Sequence, residues 1–466
     1  MKKILMLIAA PALATVLAAC SDDGAKVCTD ADCLTSALAG AKSGTTVRVG
    51  SGTIEGNFTV PAGVTIEGTG GAAILKSAGT GPVLSVTADG EGTTIRNLSV
   101  EGGNAGGIYA TGNGALTLSY LGISVTGGFC VKVSEINSLS ADNLDLSGNV
   151  TEEVQGTIQA KPNGDVWALA GLAVVKVGMA DLINIDASGF ASCGVLLHRT
   201  PTAWTGGEMS EMVGSGVHVD GQATVTLKDI SSHDIWGGAT PFGYGLVASN
   251  QAEVNTEGIS SQDNFVAGIL LDHATGTHVD AVVNGNQSRG VWIQHCGQAG
   301  GGPSVVFNGT GTNLDNNSGV GFGVYYSAGV SLSDTRVDGT LPANHIPYGQ
   351  ETGMVEIGDA IEITYSDELT FTNLVLDSNT RAGVVVDGRN EQGAAGHVTN
   401  VTFTNVTISG DGQRGFANQH GTTTSTPDVI TPALQDADAL GGILDVARGL
   451  GVDNIPAPDN IIDVPG

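Results

Sequence analysis

Short runs of alternating apolar and polar residues recur along most of the chain, and nearly all of them follow a glycine. The first and third residues after the glycine are apolar, which is the period of a β-strand that buries one face. The eleven clearest runs begin at Gly107, Gly128, Gly171, Gly194, Gly216, Gly245, Gly268, Gly290, Gly323, Ala360 and Gly383. Several neighbouring runs are 21 to 23 residues apart, with further alternating runs between them. Three strands of four to six residues and their turns fill about 22 residues, so each repeat predicts one coil of a β-solenoid. The wider gaps predict one or two coils that carry insertions.

A second column of residues supports this register. An asparagine or aspartate recurs just before the third strand of a coil, at Asn97, Asn143, Asn184, Asp229, Asn373 and Asn405. Asparagine tolerates left-handed backbone angles, and its amide both donates and accepts hydrogen bonds. Stacked copies are therefore expected to bond one another at a bend of the coil.

These two columns resemble the right-handed parallel β-helix of the pectate lyase-like superfamily, over roughly residues 45–420. The resemblance implies an all-β solenoid with about 22 residues and three short strands per coil. It also implies a helical cap within 20–44, because an open sheet end invites edge pairing. In 421–466, the polar stretch TTTSTP predicts a flexible joint, and the segment after it predicts a short capping helix.

The first twenty residues have the pattern of a targeting signal. MKK is followed by the apolar stretch ILMLIAAPALATV and by LAAC, Leu17 to Cys20. This pattern resembles the lipobox of bacterial lipoproteins, which implies removal of 1–19 and lipidation of Cys20. Ser21 in place of Asp implies the outer membrane. We therefore expect a cell-envelope protein held to the membrane through an N-terminal lipid, on either the periplasmic or the outer side.

The overall charge limits the partners. The chain has 71 glycines, and 18 basic against 47 acidic residues give a formal net charge of −29. Phosphate groups are bound by clustered lysine and arginine, so nucleic acid is not an expected partner. A monomer is expected.

The predicted export signal places the five cysteines other than Cys20 in an oxidising compartment. Cys28 and Cys33 are the expected disulfide at the start of the folded body. The remaining three have no metal-ligand spacing and are predicted to be buried thiols: Cys130, Cys193 and Cys296.

The candidate chemistry lies on the outside of the middle coils. The second, fourth and fifth residues after each glycine are predicted to point outward and to stack at about 4.8 Å from coil to coil. Between 194 and 326 these positions hold His198, Arg199, His218, Asp220, Asp272, His273, Trp292, Gln294, His295 and Tyr325. Glycine- and proline-containing segments at 237–244, 297–304 and 342–359 are expected to wall a cleft beside them.

This mixture of residues suits a carbohydrate. Aromatic rings stack on the apolar faces of sugars, while polar groups bind the hydroxyls. The substrate-binding candidates are His218, His273, Trp292, Gln294, His295 and Tyr325. The catalytic candidates are Asp220, Asp272, His198 and Arg199. Two coils would separate Asp220 from Asp272 by ~9.6 Å, which is compatible with an inverting glycoside hydrolase.

Family motifs leave the reaction open. The motifs of polygalacturonases have only poor counterparts here, in Asn255 to Glu257, in the pair Asp22 and Asp23, and around His397. Arg199 near Asp220 suggests lyase chemistry, but the negative net charge favours a neutral glycan unless Ca²⁺ bridges an acidic one. The sequence indicates no metal ligands, and the one cofactor that its chemistry could require is Ca²⁺. The alternatives are a non-enzymatic adhesin or structural spacer, whose outward column is merely solvated, and a periplasmic metal-handling factor.

Overall fold

The computed structural model describes residues 27–70, 72–79, 81–150, 169–236, 243–297, 304–342, 358–387, 399–410, 414–419 and 429–430. The predicted signal and Cys20, most of the three predicted cleft segments, and the predicted C-terminal helix lie outside these residues. Within them, no helix is long and apolar enough to cross a membrane.

The described residues are almost entirely strands. In chain order the elements are β1 (Val27–Cys28), α1 (Ala31–Gly40), β2 (Thr46–Val49), β3 (Gly52–Glu55), β4 (Phe58–Val60), β5 (Thr65–Gly68), β6 (Ala73–Lys76), β7 (Leu84–Thr87), β8 (Thr93–Gly102), β9 (Ile108–Thr111), β10 (Ala115–Val125), β11 (Val131–Ser134), β12 (Ser138–Ser147), β13 (Leu172–Val175), β14 (Met179–Ser188), β15 (Cys193–His198), β16 (Thr202–Val213), β17 (Ser215–Asp220), β18 (Thr224–Trp236), β19 (Tyr244–Ser249), β20 (Glu253–Glu257), β21 (Ser260–Gln262), β22 (Ala267–Asp272), β23 (Gly276–Val279), β24 (Val282–Asn284), β25 (Arg289–Gln294), β26 (Val305–Asn308), β27 (Gly319–Tyr325), β28 (Val330–Ser333), β29 (Arg336–Asp338), β30 (Gly358–Thr364), β31 (Asp367–Asp377), β32 (Ala382–Asp387), β33 (Thr399–Ser409), β34 (Arg414–Gln419) and β35 (Val429–Ile430).

The strands form two sheets in which every strand pairing is parallel. Sheet 2 is the 14-stranded stack from β4 to β34, and sheet 1 holds the other 21 strands. In sheet 2 each strand pairs with the equivalent strand of the next coil, as Leu172 does with Val195 and Ile269 with Val291. The chain is therefore the right-handed parallel β-helix that the repeats predict.

The coil length varies only through insertions. Paired residues are 22 or 23 positions apart where the connections are short, as in the two pairs above. The step widens to 31 residues between Val291 and Phe322, and to 39 between Phe322 and Ile361. Because these strands are direct neighbours, each of these wide gaps is one coil with an insertion.

The predicted asparagine column forms bends inside the long strands of sheet 1. Asn97, Asn143 and Asn184 have φ of 57°, 54° and 52°, so β8, β12 and β14 each run through two faces of a coil. Tyr120, with φ of 53°, makes the same bend in β10. Asn184 Nδ2 donates to Asn143 Oδ1 at 3.4 Å, and Asn405 Nδ2 donates to Asn373 Oδ1 at 2.9 Å. The expected stacking of side-chain amides is confirmed.

The interior of the helix is apolar and contains a stack of aromatic rings. Phe307 and Phe322 meet edge to face with centroids 5.4 Å apart, and Phe371 and Phe403 stack at 5.2 Å. At the N-terminal end, Leu34 and Leu38 of α1 are buried in this same core, as expected for a cap. Each coil thus buries its apolar face only against its neighbours.

The cysteine predictions hold. Cys28 and Cys33 form a disulfide beside α1. The other three cysteines of the described chain are buried free thiols, and burial raises the pKa of Cys193 and Cys296 to about 12.

Two predictions about the outward column are wrong. The run at Gly323 is out of register by two residues, since Trp292 pairs with Gly323 and Gln294 pairs with Tyr325. From Ala173 onward the second positions are also not exposed: Ala173, Leu196, Val247, Leu270 and Trp292 lie outside the main core, yet are buried in two separate apolar clusters. The partly buried Phe265 and Tyr326 pack against the larger of these clusters. Polar residues at the fourth positions are buried too, namely His198, Asp220, Asp272 and Gln294.

Candidate functional site

A polar cavity of about 660 Å³ opens on the outer side of sheet 2. The described residues that line it are His198, Arg199, Asp220, Gly221, Gln222, Asn250, Gln251 and His273. Four of the predicted site residues are among them, together with amides that sequence reasoning did not select. A cavity of this size and polarity suits a small hydrophilic group such as a sugar.

The residues at the centre of the cavity lie at the ends of three neighbouring strands. β15, β17 and β19 end in His198, Asp220 and Ser249, and these residues are aligned in register. The chain turns immediately afterwards, where Arg199 and Asn250 have φ of 47° and 55°. These side chains therefore follow the strand ends into the same space.

The equivalent turn residue between them is Gly221. Its φ is 75°, and a Cβ there would lie 2.7 Å from Cγ of Arg199. The glycine lets the arginine side chain cross the turn beside Asp220.

Asp220 is the most strongly bonded group of the cavity. It is 1% exposed, and its Oδ2 lies 2.5 Å from His198 Nδ1. Its Oδ1 accepts from Ser249 Oγ at 3.0 Å and from Asn250 Nδ2 at 2.7 Å. Burial alone would raise the pKa of this carboxyl, but the hydrogen bond from His198, the nearby His218 and the Asn250 amide together lower it.

This arrangement assigns different roles to Asp220 and His198. A carboxyl with a lowered pKa stays ionised and does not serve as a general acid at neutral pH. An ionised aspartate that accepts from Nδ1–H of an imidazole holds the tautomer whose lone pair is on Nε2. His198 is therefore the candidate proton-transfer group, and Asp220 is its positioning partner.

His218 lies on the same strand as Asp220, two residues earlier, and is not among the residues that line the cavity. It is 5% exposed, and its Nε2 is 3.5 Å from Ser249 Oγ. Burial lowers the pKa of His218, so the ring is neutral at physiological pH. It contacts the hydroxyl that in turn bonds Asp220, behind the residues that line the cavity.

Asp272 is two coils from Asp220, as the register predicts, and belongs to a different cluster. His273 Nδ1 and His295 Nδ1 lie 2.8 Å and 3.0 Å from the same oxygen, Asp272 Oδ1. The His273 and His295 rings lie 4.9 Å apart, and His295 stacks on Tyr326 with centroids 5.9 Å apart. Only His273 reaches the cavity.

The other predicted binding residues lie in a buried layer. Trp292 is fully buried, with the guanidinium carbon of Arg289 4.1 Å from its ring centroid and Tyr325 meeting it edge-on. Gln294 is 1% exposed. In this conformation none of these side chains has a surface on which a sugar ring could stack.

A buried charged cluster beside this layer was missed by sequence reasoning. Tyr325 OH donates to Glu362 Oε2 at 2.8 Å, and Arg381 Nε donates to Asp359 Oδ1 at 2.7 Å. Burial, followed by the charge of Asp359, raises the pKa of Glu362 to about 7. The only signal in the sequence is a carboxylate at the second position of the Ala360 run, where other copies are mostly apolar.

Comparisons with known proteins identify similar folds but no family. No family model matches the chain, and no curated protein matches it. The periplasmic alginate epimerase AlgG is similar over 83% of this chain and 84% of its own, with a TM-score of 0.45 and 10% identity. The A-module of Azotobacter vinelandii mannuronan C-5 epimerase AlgE6 is similar over 86% and 94%, with a TM-score of 0.42 and 14% identity.

The pectate lyase Pel9A is similar over 64% of this chain and 72% of its own, with a TM-score of 0.37 and 12% identity. The parallel β-helix itself is confirmed by the strand pairing of this chain. Identities this low align no site residues, so the function must be inferred from the geometry of this chain.

Proposed function

We propose that this protein binds a polysaccharide in the cavity around His198 and Asp220 and cleaves it by elimination. The observation that carries the proposal is the His198–Asp220 pair, 2.5 Å apart, in the wall of a polar cavity that also contains an arginine. Histidine held by an ionised aspartate is suited to removing a proton from a substrate.

Arg199 supplies the second requirement of this reaction. A proton beside a sugar carboxylate becomes acidic enough to remove when a cation neutralises the carboxylate. Arg199 is the only basic residue, other than the histidines, among the described residues lining the cavity, and it follows His198 directly. His198 takes the proton from the carbon beside the carboxylate, and the bond from the adjacent carbon to the linking oxygen breaks as the double bond forms. That oxygen takes the proton back from His198, so no other reactant is needed.

The choice of an acidic substrate departs from the neutral glycan that the net charge favours. Charges more than about 8–10 Å apart in water are largely screened at physiological salt. The described residues that line the cavity include one carboxylate, Asp220, and one guanidinium, Arg199, so their formal charges cancel. Local charge therefore permits a uronate despite the net charge of −29.

Hydrolysis by Asp220 and Asp272 has less support. An inverting hydrolase needs one carboxyl that is protonated at working pH, and the pKa of Asp220 is lowered. Asp272 contacts the imidazoles of His273 and His295 and is not among the described residues that line the cavity.

The test is a panel of neutral and uronate-containing polysaccharides, measured for binding by calorimetry and for cleavage. Elimination is expected to give an unsaturated uronate end, seen by ultraviolet absorbance, whereas hydrolysis gives reducing ends without that absorbance. His198→Gln should lower the elimination rate about 10²–10⁴-fold while binding changes little. His233 is a half-buried histidine on sheet 1, and His233→Gln is the matched control, which should retain full activity.

The possible results separate the candidate functions. Binding without cleavage would reject the enzyme and leave a carbohydrate-binding adhesin. No binding to any polysaccharide would reject the carbohydrate assignment altogether. The cell-envelope location and the lipid on Cys20 are part of the proposal, and mass spectrometry of the mature N-terminus checks them.

A further inference from the structure

Asp272, His273 and His295 form a compact group at one corner of two adjacent coils. Asp272 ends β22 and pairs in register with Gln294, which ends β25. His273 and His295 come next, both with left-handed backbone at φ 52° and 53°. The repeat thus brings two imidazoles to the same carboxylate oxygen.

The three side chains offer donor atoms at the separation that one metal ion needs. One nitrogen from each histidine and one carboxylate oxygen all lie within 4.8 Å of one another. Bonds of about 2.0–2.2 Å from zinc to nitrogen or oxygen place tetrahedral ligands about 3.4 Å apart. The observed Nδ1 to Oδ1 distances of 2.8 and 3.0 Å require only small side-chain rotations to reach that separation.

The exposure of the group allows an ion to enter. Asp272 is held in place by burial, with 6% of its side chain exposed, while the rings of His273 and His295 are 58% and 35% exposed. Two imidazoles and one carboxylate suit zinc and its neighbours in the first transition series, whereas calcium and magnesium prefer oxygen ligands.

A second observation points to the same corner. Gln294, the register neighbour of Asp272, is 1% exposed, and its amide oxygen has no hydrogen-bond partner in the described part of the chain. A buried carbonyl oxygen without a partner destabilises the folded state. Coordination to a cation is one way to satisfy it.

We propose that Asp272, His273 and His295 bind one divalent transition-metal ion, with Zn²⁺ as the best match, and that Gln294 is a candidate fourth ligand. Asp272, His273 and His295 leave a fourth coordination position, which either the Gln294 amide oxygen or an oxygen of water or substrate would fill. Because His273 also lines the cavity, the ion would stand at its edge. This proposal does not depend on the reaction of His198.

The test uses the untagged full-length chain after treatment with a chelator. Calorimetric titration with Zn²⁺ is expected to show one site per chain, and Co²⁺ is expected to give the intense visible bands of a low-coordinate site. Asp272→Asn, His273→Gln and His295→Gln should each weaken Zn²⁺ binding by at least about 10–100-fold, because even loss of an outer partner has that effect.

His233→Gln is the matched control. His233 also contacts two carboxylates, but Glu208 and Asp234 lie on opposite ring nitrogens, so they cannot share one ion with it. This variant should bind Zn²⁺ like the wild type. His273 is largely exposed, so its variant keeps the test decisive if Asp272→Asn fails to fold.

The metal proposal fails if the wild type takes up no Zn²⁺, or if the three ligand variants bind it as tightly as the His233→Gln control. Neither result bears on polysaccharide binding, which is measured without metal.

Discussion

The buried carboxyl groups on sheet 2 differ mainly in whether their neighbours stabilise the charged form. Asp220 accepts hydrogen bonds from three neighbours, and its pKa is lowered. Glu362 is equally buried but accepts from Tyr325 and lies near the charge of Asp359, and its pKa is raised. The outward positions of the repeat identified His198 and Asp220 because side chains alternate strictly between the two faces of a strand. They showed Asn250 at the fifth position but did not select it for the site, and they did not reach Gln222 and Gln251, which lie beyond the five positions that repeat.

The raised pKa of Glu362 predicts a pH-dependent stability. The pKa of Glu362 is about 7 in the folded protein and 4.5 ordinarily. Its contribution to the free energy of unfolding is therefore fully present below about pH 4.5 and is lost as the pH rises through about 7. Glu362→Gln, which mimics the protonated form, should match the wild type at pH 5 and exceed it at pH 8 by about 2–3 kcal/mol. Thermal unfolding at the two pH values measures this.

Glu257→Gln is the control, because Glu257 is exposed and pairs with Lys228 on sheet 1. It should leave the pH dependence of the wild type unchanged. Identical pH profiles for Glu362→Gln and the wild type would show that Glu362 titrates normally in the folded protein.

The straight segments of strand are short because the chain bends at left-handed residues that recur once or more in each coil. The asparagine column was predictable, since asparagine is one of the few residues that tolerate such angles. The second column of bends, after the strands of sheet 2, was not predictable. It uses Arg199, His273, His295, Tyr326 and Tyr365, all with φ between 47° and 53°. Bulky residues rarely adopt these angles, and the stacking of neighbouring rings on one another accompanies them here.

The bend at Asn373 can be tested by substitution. Its φ is 55°, its amide donates to Asp334 Oδ1 at 2.8 Å, and its Oδ1 accepts from Asn405. Asn373→Ala should lower the free energy of unfolding by about 1–3 kcal/mol, from the left-handed backbone and the lost bonds. Asn373→Gly should recover about 1 kcal/mol of this, because glycine adopts the angle without strain.

Thr370→Ala on the same strand is the control. Thr370 is exposed and is not among the left-handed residues, so its loss should have little effect. If alanine and glycine at 373 were equally destabilising, the backbone angle would not contribute to the bend.

At the scale of the whole molecule, the fold was predictable because it repeats. Eleven weak signals at a common spacing reinforced one another, and two misaligned copies, at Gly128 and Gly323, did not change the conclusion. The burial of the outer face of sheet 2 was not predictable in the same way. Apolar residues at its second positions, such as Leu196 and Leu270, are compatible with either an exposed or a covered face, and nothing in a single run distinguishes the two.

The parallel register also determines how the molecule would respond to a mechanical load. In the described part of the chain the interstrand hydrogen bonds run along the stack, and β4 and β34 lie at opposite ends of sheet 2. A pull on the ends therefore peels off one coil at a time rather than shearing a sheet. Optical tweezers should record a staircase of extensions, each about 70–80 Å for a coil of 22 or 23 residues, with longer steps where coils carry insertions. A single all-or-none extension would show that the coils do not yield separately.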